Sequence, residues 1–556
     1  MKHNIDWFNE ESSSILNKGY LLKGETVEDA IERIARVVEK YNPEVEGIYE
    51  KTTEAIVKGW LSMSSPIWAN AGTERGLPIS CFNVHIEDSV ESYASKLGEV
   101  IMQTKVGGGT SGSFDMREFG APITDNGHSN GVMAFINSFD HTMKFMNQGN
   151  TRRGSFAAYL KIDHPDIEKF LNVKSVGDDN QSIFTGVIVT DEWFEQMMDQ
   201  ENVDTYKRNI WAKVLKSRQE KGIPYVFFDG NVQRGRPDAY KELGLPILGS
   251  NLCAEIMLPS SQDESFICAL LSTNMERWDE WRNTDLLFTA NCIIDAILQE
   301  FIDKAKGRKH FEPTVKFAER HRAVGIGVLG YHSYLQKNNI PFESDEARAI
   351  NREYFKELQE KLYQSSEKLG ELKGHAPIFN ETTSSKPRRN VTLMAIAPTT
   401  SSSAILGQVS AGIEPYSSNY YKVGLAKGNF MRKNKYLEKL LDDKGLNTKS
   451  VWKTIMLNDG SVQHLSGLTE HEKNVFKTFK EISQKEIIIH ASIRQRWIDQ
   501  GQSLNLNIPP DVPMKEVNKL MIDAYYAGIK TLYYQRSKSV SKDMLNNVVN
   551  CSSCEA

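Results

Sequence analysis

The feature that most constrains the fold of this chain is a long alternation of short apolar runs with longer amphipathic stretches, which extends from about Trp60 to Tyr534. The apolar runs have the length of strands, and examples are residues 185–190, 225–228 and 391–396. Short apolar runs are typical of strands buried on both faces, and such strands occur in parallel sheets covered by helices. The sequence therefore predicts an α/β fold with buried strands.

Two helical segments begin with recognisable caps. Thr26 and Asp29 form a capping box ahead of apolar residues at helical spacing, namely Val27, Ala30, Ile31, Ile34 and Val38. Thr469 and Glu472 form a second box, and the apolar pattern behind it continues to Ile493. The second pattern predicts one long helix.

The composition excludes several classes of protein. The 556 residues carry 67 basic and 72 acidic side chains, and the net charge of -5 gives no sign of a nucleic-acid-binding surface. No run of about 18 apolar residues is present, so we expect no membrane span, and the first residues lack the apolar core of a signal peptide. Six cysteines are too few for a secreted disulfide scaffold. We expect a cytoplasmic enzyme with reduced thiols, in which any disulfide is catalytic.

The segment Ser250–Ile256 concentrates reactive groups. Asn251, Cys253 and Glu255 occupy alternate positions, and in an extended backbone alternate side chains project to the same side. An amide, a thiol and a carboxylate would then share one space. A half-buried strand with a structural cysteine explains the segment equally well when it is considered alone, and Asn251 alone is better explained as a turn residue.

Three separated motifs decide between these interpretations. They are two cysteines in apolar runs, a Cys-x-x-Cys pair at the C-terminus and an adjacent tyrosine pair: Cys81 and Cys268, Cys551 and Cys554, and Tyr533 and Tyr534. Together with the 250–256 segment, these motifs resemble those of the large, catalytic subunit of class I ribonucleotide reductase. The resemblance extends from about Ser65 to Cys554 and is carried by several separated motifs.

The resemblance implies a ten-stranded α/β barrel, built from two five-stranded parallel halves, with Cys253 on a finger loop inside it. It divides the chain into a helical domain at 1–75, the catalytic barrel at 76–536 and a flexible redox-active tail at 537–556. The motif of the first barrel cysteine already stands at position 81. This leaves no room for the ATP-binding cone with which many relatives begin, so we expect no overall-activity site in this chain.

The resemblance also assigns a radical reaction to the cysteines. A thiyl radical on Cys253 would abstract a hydrogen atom from the 3′ carbon of the ribose, in a water-poor site that protects the radical. Glu255 would be the general base on the 3′-hydroxyl, with a pKa raised by burial, and Asn251 would orient it and donate to the substrate. Cys81 and Cys268 would supply two electrons and become a disulfide. Two small buried core residues are the alternative for this pair.

The tail cysteines would complete the redox cycle. Cys551 and Cys554 would reduce the active-site disulfide and be recharged by a thioredoxin-like or glutaredoxin-like reductant. A zinc site usually needs four ligands, and the sequence has no second Cys-x-x-Cys and no nearby histidine pair. Cys292, in an apolar helical run, is predicted to be a core residue.

The tyrosine pair implies a second protein. Tyr533 and Tyr534 would relay a radical to Cys253 by coupled proton and electron transfer, although two aromatics in a strand are ordinarily packing residues. The sequence shows no obvious set of carboxylate and histidine ligands for a di-metal site, so we expect no metal in this chain. The radical or metal cofactor would lie on a radical-generating small (beta) subunit.

Nucleotide positions follow from the resemblance as well. Residues 397–403 combine hydroxyl side chains with a predicted helix start, which suits a phosphate. Binding of a nucleoside diphosphate (NDP) is assigned to Pro398, Thr399, Thr400, Ser401 and Ser402, with Ser65, Ser80 and Asn251. The allosteric site for dNTP or ATP is assigned to Asp88, Ser89, Arg117, Gln148 and Arg152, although a solvated basic turn also explains 147–154. In relatives this site lies at a homodimer interface, so a homodimer is expected.

Two other functions stay open at this point. An adenosylcobalamin-dependent reductase would share the barrel and the catalytic thiols, but that class makes its radical without a partner subunit, and the tyrosine pair argues against it. A non-catalytic nucleotide-binding or redox-sensing protein would leave the placed cysteines and Glu255 unexplained.

Overall fold

The computed structural model describes residues 5–124, 127–148, 152–175, 177–178, 180–425 and 428–537. Its strands are β1 Leu61–Met63, β2 Cys81–Glu87, β3 Gly109–Asp115, β4 Phe119–Ile123, β5 Gly127–Asn130, β6 Asn147–Gln148, β7 Arg152–Arg153, β8 Phe156–Lys161, β9 Ile183–Val189, β10 Tyr225–Phe228, β11 Ile267–Asn274, β12 Val324–Leu329, β13 Tyr420–Leu425, β14 Gly428–Lys433, β15 Leu506–Asn507, β16 Thr531–Leu532 and β17 Gln535–Arg536.

The helices are α1 Glu10–Asn17, α2 Val27–Tyr41, α3 Ile48–Val57, α4 Ser65–Asn70, α5 Val90–Lys105, α6 Val132–Phe145, α7 Ile167–Leu171, α8 Asp191–Met198, α9 Thr205–Lys221, α10 Asp229–Arg234, α11 Asp238–Glu242, α12 Trp278–Trp281, α13 Leu286–Ala305, α14 Glu312–His321, α15 Tyr331–Lys337, α16 Asp345–Lys373, α17 Thr400–Ile405, α18 Lys435–Asp443, α19 Lys449–Leu457, α20 Glu470–Val475, α21 Gln484–Gln495 and α22 Met514–Tyr526. Short 3-10 turns lie at Met275–Arg277 and Pro377–Glu381.

Five parallel strands form the first half of the main sheet, in the order β2-β3-β8-β9-β10. Parallel neighbours need crossover connections, and helices lie in these connections: α5 between β2 and β3, α6 between β3 and β8, and α8 and α9 between β9 and β10. The apolar runs at 185–190 and 225–228 therefore fall on β9 and β10, as predicted.

The second half is also parallel but less regular. β11 pairs with β12, Ile326 of β12 bridges to Met394, Ile396 bridges to Gln502, and β15 pairs with β17. The run at 391–396, predicted to be a strand, thus takes part through two isolated bridges only.

A buried carboxylate explains this irregularity. The Asp499 side chain accepts hydrogen bonds from the backbone N–H groups of Leu393 (2.8 Å) and Met394 (2.9 Å). These donors are therefore not available to a neighbouring strand, and the regular ladder is interrupted here.

Antiparallel pairs join the two halves at both edges. Cys81 of β2 lies opposite Cys268 of β11, and Phe227 of β10 lies opposite Thr531 of β16. The strand pairings therefore form a closed ring with five strand positions in each half. The five positions of the second half are β11, β12, 391–396, the segment through β15 and the segment β16–β17. The ten-stranded α/β barrel of two parallel halves is confirmed. β1 adds antiparallel to β11 beside β2.

The N-terminal helices form where the capping pattern predicts. In α2 the Thr26 hydroxyl accepts from Asp29 N–H (3.2 Å), and the Asp29 carboxylate accepts from Thr26 N–H (2.9 Å). Both bonds of the capping box are therefore present. The apolar face of α2 is buried and packs against α3 and α13.

The prediction of one long helix from Thr469 to Ile493 is wrong. The capping box of Thr469 and Glu472 is present, but α20 ends at Val475 and α21 begins only at Gln484. The Phe479 N–H donates to Tyr416 O (2.8 Å) instead of to a carbonyl one turn earlier. A tertiary hydrogen bond thus replaces a helical one and breaks the predicted helix.

Within the described residues, no helix is long and apolar enough to cross a membrane.

Candidate active site

The finger loop, residues 243–266, connects α11 to β11 and forms neither helix nor strand. Side chains from three strands of the ring donate hydrogen bonds to its carbonyl oxygens: Asn83 of β2 to Ser250 (3.1 Å), Tyr159 of β8 to Asn251 (2.8 Å) and Thr531 of β16 to Ala254 (2.6 Å). Because these strands belong to both halves, the loop lies inside the ring.

The local conformation differs from the extended backbone that the alternation of residues suggested. Leu252 and Cys253 form a turn, and Ala254 has φ +64°, in the left-handed region. The Asn251 Oδ1 atom accepts from the backbone N–H groups of Glu255 (3.0 Å) and Ile256 (3.1 Å). Asn251 is thus a turn residue, and it fixes the backbone of Glu255 through this turn rather than through strand alternation.

The Glu255 carboxyl is buried next to a hydroxyl that the sequence did not single out. Ser503 Oγ lies 2.6 Å from Cys253 O and 3.0 Å from Glu255 Oε2. The single hydrogen of this hydroxyl is shared between two acceptors. Ser503 therefore joins the positions of Cys253 and Glu255, and both of these side chains are buried.

Cys81 and Cys268 are thiols on facing positions of β2 and β11. Opposed residues of an antiparallel pair have Cα atoms about 4.5–5.5 Å apart, which lies within the range of a disulfide. The Asn251 amide donates to Cys81 Sγ (3.1 Å). Asn251 therefore connects the thiol pair to the turn that carries Cys253.

Burial keeps the Cys268 thiol protonated. Burial first, and the neighbouring Cys81 second, raise the pKa of the Cys268 thiol well above its ordinary value, although a contact from Gln500 opposes this shift. The Gln500 amide nitrogen lies 4.0 Å from Cys268 Sγ. Burial likewise raises the pKa of Tyr159, with Glu255 and Cys253 as further contributors. The Cys268 thiol and the Tyr159 phenol thus keep their hydrogens at neutral pH.

Tyr533 and Tyr534 follow β16 on the strand that closes the ring. Their ring centroids are 4.3 Å apart. The Tyr533 N–H donates to Leu504 O (2.9 Å) and the Tyr534 N–H donates to Asn505 Oδ1 (3.0 Å). Tyr533 is buried in the same apolar cluster as Cys253, and Tyr534 is half-buried at its edge. The pair therefore leads from the edge of the cluster toward the finger loop.

The predicted substrate loop ends in a short helix, α17, that begins at Thr400. Thr399 has φ +54°, and its hydroxyl accepts from Gly412 N–H (2.7 Å). Ser402 Oγ donates to Met63 O of β1 (3.2 Å). Met63 faces Leu271 of β11, three residues from Cys268, which corresponds to roughly 10 Å along a strand. This separation suits the distance from a ribose to its phosphates.

Two further serines assigned to substrate binding are buried. Ser65 is the first residue of α4, and Ser80 directly precedes Cys81. The Ser80 hydroxyl is buried and has no hydrogen-bond partner among the described residues. A buried hydroxyl without a hydrogen-bond partner, next to Cys81 in the chain, can form a hydrogen bond with a polar ligand.

Comparisons with known proteins agree with this geometry. The profile of the family "Ribonucleotide reductase, barrel domain" matches residues 79–208, 204–388 and 383–535, and that of "Ribonucleotide reductase, all-alpha domain" matches residues 6–76. This chain belongs to the class I ribonucleotide reductase large subunits.

Individual relatives cover nearly the whole chain. The ribonucleoside-diphosphate reductase large subunit of Invertebrate iridescent virus 3 is 32% identical over 587 residues, covering 92% of this chain and 91% of that protein. The corresponding large subunit of Caenorhabditis elegans is 28% identical, covering 94% and 75%. The solved structure of the Actinobacillus ureae class Id ribonucleotide reductase alpha subunit is 44% identical, with a TM-score of 0.90, and covers 99% of this chain and 100% of that one.

Membership of this family establishes the general activity of the chain. The chain is the large subunit of a ribonucleoside-diphosphate reductase, an oxidoreductase of deoxyribonucleotide synthesis. In a class I reductase the radical cofactor lies on the small subunit, which is the partner of the large one. The described residues contain no group of three or more His, Cys, Asp or Glu side chains arranged to hold a metal.

Of the residues assigned to the effector site, Asp88 and Ser89 directly precede α5, and Arg117 lies between β3 and β4. Arg117 Nε donates to Asp88 Oδ2 (2.7 Å), and both side chains are partly exposed. Ser89 caps α5 by accepting from Ser92 N–H (3.0 Å). Gln148 of β6 and Arg152 of β7 are register partners, and β6 packs against α5.

The cysteines outside the catalytic set divide into two cases. Cys292 is buried in α13, where burial raises the pKa of its thiol to about 12, as expected for a core residue. Cys551 and Cys554 lie outside the described residues.

Proposed function

We propose that this large subunit reduces ribonucleoside diphosphates through a thiyl radical on Cys253. Oxidation of the Cys253 S–H sends one electron and one proton to Tyr533, then to Tyr534, and then to the radical of the small subunit. The 4.3 Å contact of the tyrosine rings and the burial of Tyr533 beside Cys253 support this route.

In the next step the Cys253 thiyl takes the hydrogen atom from the 3′ carbon of the substrate. Glu255 accepts the proton of the 3′-hydroxyl, and the 2′-hydroxyl leaves as water with a proton from the thiol pair. Cys81 and Cys268 give two electrons and two protons, so NDP and two thiols become dNDP, water and one disulfide. Glu255 returns its proton to the 3′ oxygen, and Cys253 returns its hydrogen atom to the 3′ carbon and regenerates the thiyl. The raised pKa of Cys268 supports the pair as a hydrogen donor.

The observation that carries this proposal is the opposition of Cys81 and Cys268 across β2 and β11, with Asn251 joining Cys81 to the Cys253 turn. A pair of structural cysteines would not need an amide from the catalytic turn on one sulfur. The NDP phosphates are proposed to bind at 398–402, with Ser65 and Ser80 at the sugar end.

Regulation and recharging belong to the same proposal. Effector dNTP or ATP would bind at Asp88, Ser89, Arg117, Gln148 and Arg152 in a homodimer, with α5 between that site and β2, which carries Cys81. Cys551 and Cys554 would reduce the Cys81–Cys268 disulfide with electrons that they receive from a thioredoxin-like or glutaredoxin-like reductant.

The test is reduction of the four NDPs with and without the radical-generating small subunit, in the absence of external reductant. We expect dNDP only with the small subunit, together with a Cys81–Cys268 disulfide identified by peptide mapping. Equal product from a Cys81→Ser variant would refute the role of the pair. Turnover of the isolated chain on addition of adenosylcobalamin would refute the role of the small subunit.

A further inference from the structure

A third tyrosine contacts both members of the proposed relay. Tyr225, the first residue of β10, is fully buried, and its ring centroid lies 4.7 Å from that of Tyr533 and 5.2 Å from that of Tyr534. The Tyr533–Tyr534 separation is 4.3 Å. The three phenol rings therefore form one cluster in which every pair is in contact.

We propose that Tyr225 is a redox-active member of this relay, which exchanges the oxidising equivalent with both Tyr534 and Tyr533. The inference rests on the proposed function. An electron can move between rings in contact, and the side chains here are all phenols, so none is intrinsically harder to oxidise than the others. A cluster built only for packing could contain phenylalanine at position 225, as at the neighbouring Phe184, whose ring stacks on Tyr225 at 6.4 Å.

The exchange is balanced at each step. The Tyr534 phenoxyl takes one electron and one proton from Tyr225, which gives a Tyr534 phenol and a Tyr225 phenoxyl. The Tyr225 phenoxyl then takes one electron and one proton from Tyr533. The sum equals direct transfer from Tyr533 to Tyr534, so Tyr225 offers a second route between the same two phenols.

A buried guanidinium fixes this geometry. Arg218 is fully buried, and its Nη1 donates to the carbonyl of Pro224, the residue before Tyr225, and to the carbonyl of Tyr533 (3.0 Å). One side chain thus ties the backbones of both strands together. Its Nε and Nη2 atoms are buried and have no hydrogen-bond partner among the described residues.

The charge of Arg218 also favours transfer of a proton with each electron. Burial lowers the pKa of Arg218 to about 9, which still leaves it protonated at neutral pH. A fixed positive charge disfavours a second positive charge nearby, so a phenol radical cation is destabilised and a neutral phenoxyl is preferred. This is the form that the exchange above requires.

The experiment places 3-aminotyrosine, which is oxidised more easily than tyrosine, at single positions of the full chain. Each variant is mixed with the radical-generating small subunit, NDP and effector, and the radical is recorded by electron paramagnetic resonance. We expect an aminotyrosyl signal from Tyr225→3-aminotyrosine and from Tyr534→3-aminotyrosine. Tyr331, equally buried but packed against Phe342 and His490, is the matched control and should give none.

The outcomes separate the two levels of the proposal. A signal at position 534 without one at 225 would overturn the role of Tyr225 and leave the relay intact. No signal at either position would overturn the relay itself. A Tyr225→Phe variant serves as a second test in case the aminotyrosine chain misfolds, because it keeps the aromatic ring and removes only the hydroxyl. Its turnover should fall about three- to tenfold with NDP binding unchanged, and unchanged turnover would also overturn the role of Tyr225.

Discussion

The finger loop and the assigned effector region differ in burial and in how strongly their contacts are held. Residues 249–260 of the loop are buried and accept hydrogen bonds from strands of both barrel halves, whereas the Asp88–Arg117 pair leaves 36% and 39% of its side chains exposed. Breaking a buried hydrogen bond costs about 1–3 kcal/mol, but an exposed ion pair contributes only about 0–1 kcal/mol. The radical chemistry is thus assigned to the rigid interior, and the regulatory contacts to a surface that a ligand can rearrange at little cost.

The largest effect should come from Cys253. A Cys253→Ser variant should lose turnover by more than about 10⁴-fold, because an alcohol cannot replace the thiol as the source of the radical. NDP binding, measured by calorimetry, should be unchanged. A Cys292→Ala variant is the control, since it also removes a buried thiol but one on α13, and its turnover should persist. Comparable losses in both variants would mean that the Cys253 effect is one of folding.

Glu255 comes next. Glu255→Gln keeps the size of the side chain and a hydrogen-bonding oxygen for Ser503, but it removes the proposed base, so turnover should fall about 10²- to 10⁴-fold. The measurement is steady-state NDP reduction with saturating small subunit. A loss confined to KM, with kcat intact, would show that the carboxyl only binds substrate.

The next prediction concerns how the alkylation rate of Cys268 depends on pH. Because burial raises the pKa of Cys268, its alkylation by iodoacetamide at pH 8 should be at least about tenfold slower than in the urea-unfolded chain. The rate should keep rising as pH increases beyond the ordinary thiol range, and peptide mapping reports it site by site. A plateau at or below the ordinary thiol pKa would contradict a buried, protonated Cys268 thiol.

Ser503 should show an intermediate effect. A Ser503→Ala variant removes the hydroxyl between Cys253 O and Glu255 Oε2, so turnover should fall about tenfold, which corresponds to about 1.4 kcal/mol. Thermal unfolding should show a loss of about 1–3 kcal/mol from the carbonyl left without its donor. Full activity would mean that the turn holds Glu255 without this hydroxyl.

The smallest effect on basal turnover should come from the effector region. Arg117→Ala should cost less than about 1 kcal/mol of stability and leave effector-free turnover nearly unchanged. The preference among the four NDPs should no longer respond to added dNTP. Lys161→Ala, which removes another exposed ion pair, to Asp115 at 3.3 Å, is the control and should keep the response. If the NDP preference of Arg117→Ala still responded to dNTP, Arg117 would not be part of the effector site.

Local patterns in the sequence predicted local structure well. The capping box at Thr26 and Asp29 and the strands at 185–190 and 225–228 depend on neighbouring residues, and they form as expected. The helix predicted from 469 to 493 failed because a hydrogen bond to Tyr416, some sixty residues away in sequence, interrupts it.

The site shows the same division between local and distant information. The residues of the 250–256 segment were identified from sequence, and a turn was the better explanation of Asn251 alone, but the hydrogen bonds by which Asn251 fixes the backbone of Glu255 and Ile256 were not predicted. Ser503 and Tyr225 carry no local signal, since their importance arises from contacts with Glu255 and Tyr533 that only the closed ring creates. The opposition of Cys81 and Cys268 likewise follows from the antiparallel junction of the halves.

The central claim is that the Cys253 sulfur takes a hydrogen atom from the substrate inside the barrel. The most direct measurement is competition between unlabelled NDP and NDP with deuterium at the 3′ carbon, in the complex with the small subunit. We predict a primary isotope effect against the labelled substrate, with deuterium retained at the 3′ carbon of the dNDP because the same thiol returns it. Equal use of both substrates, with the deuterium lost to solvent, would contradict the account.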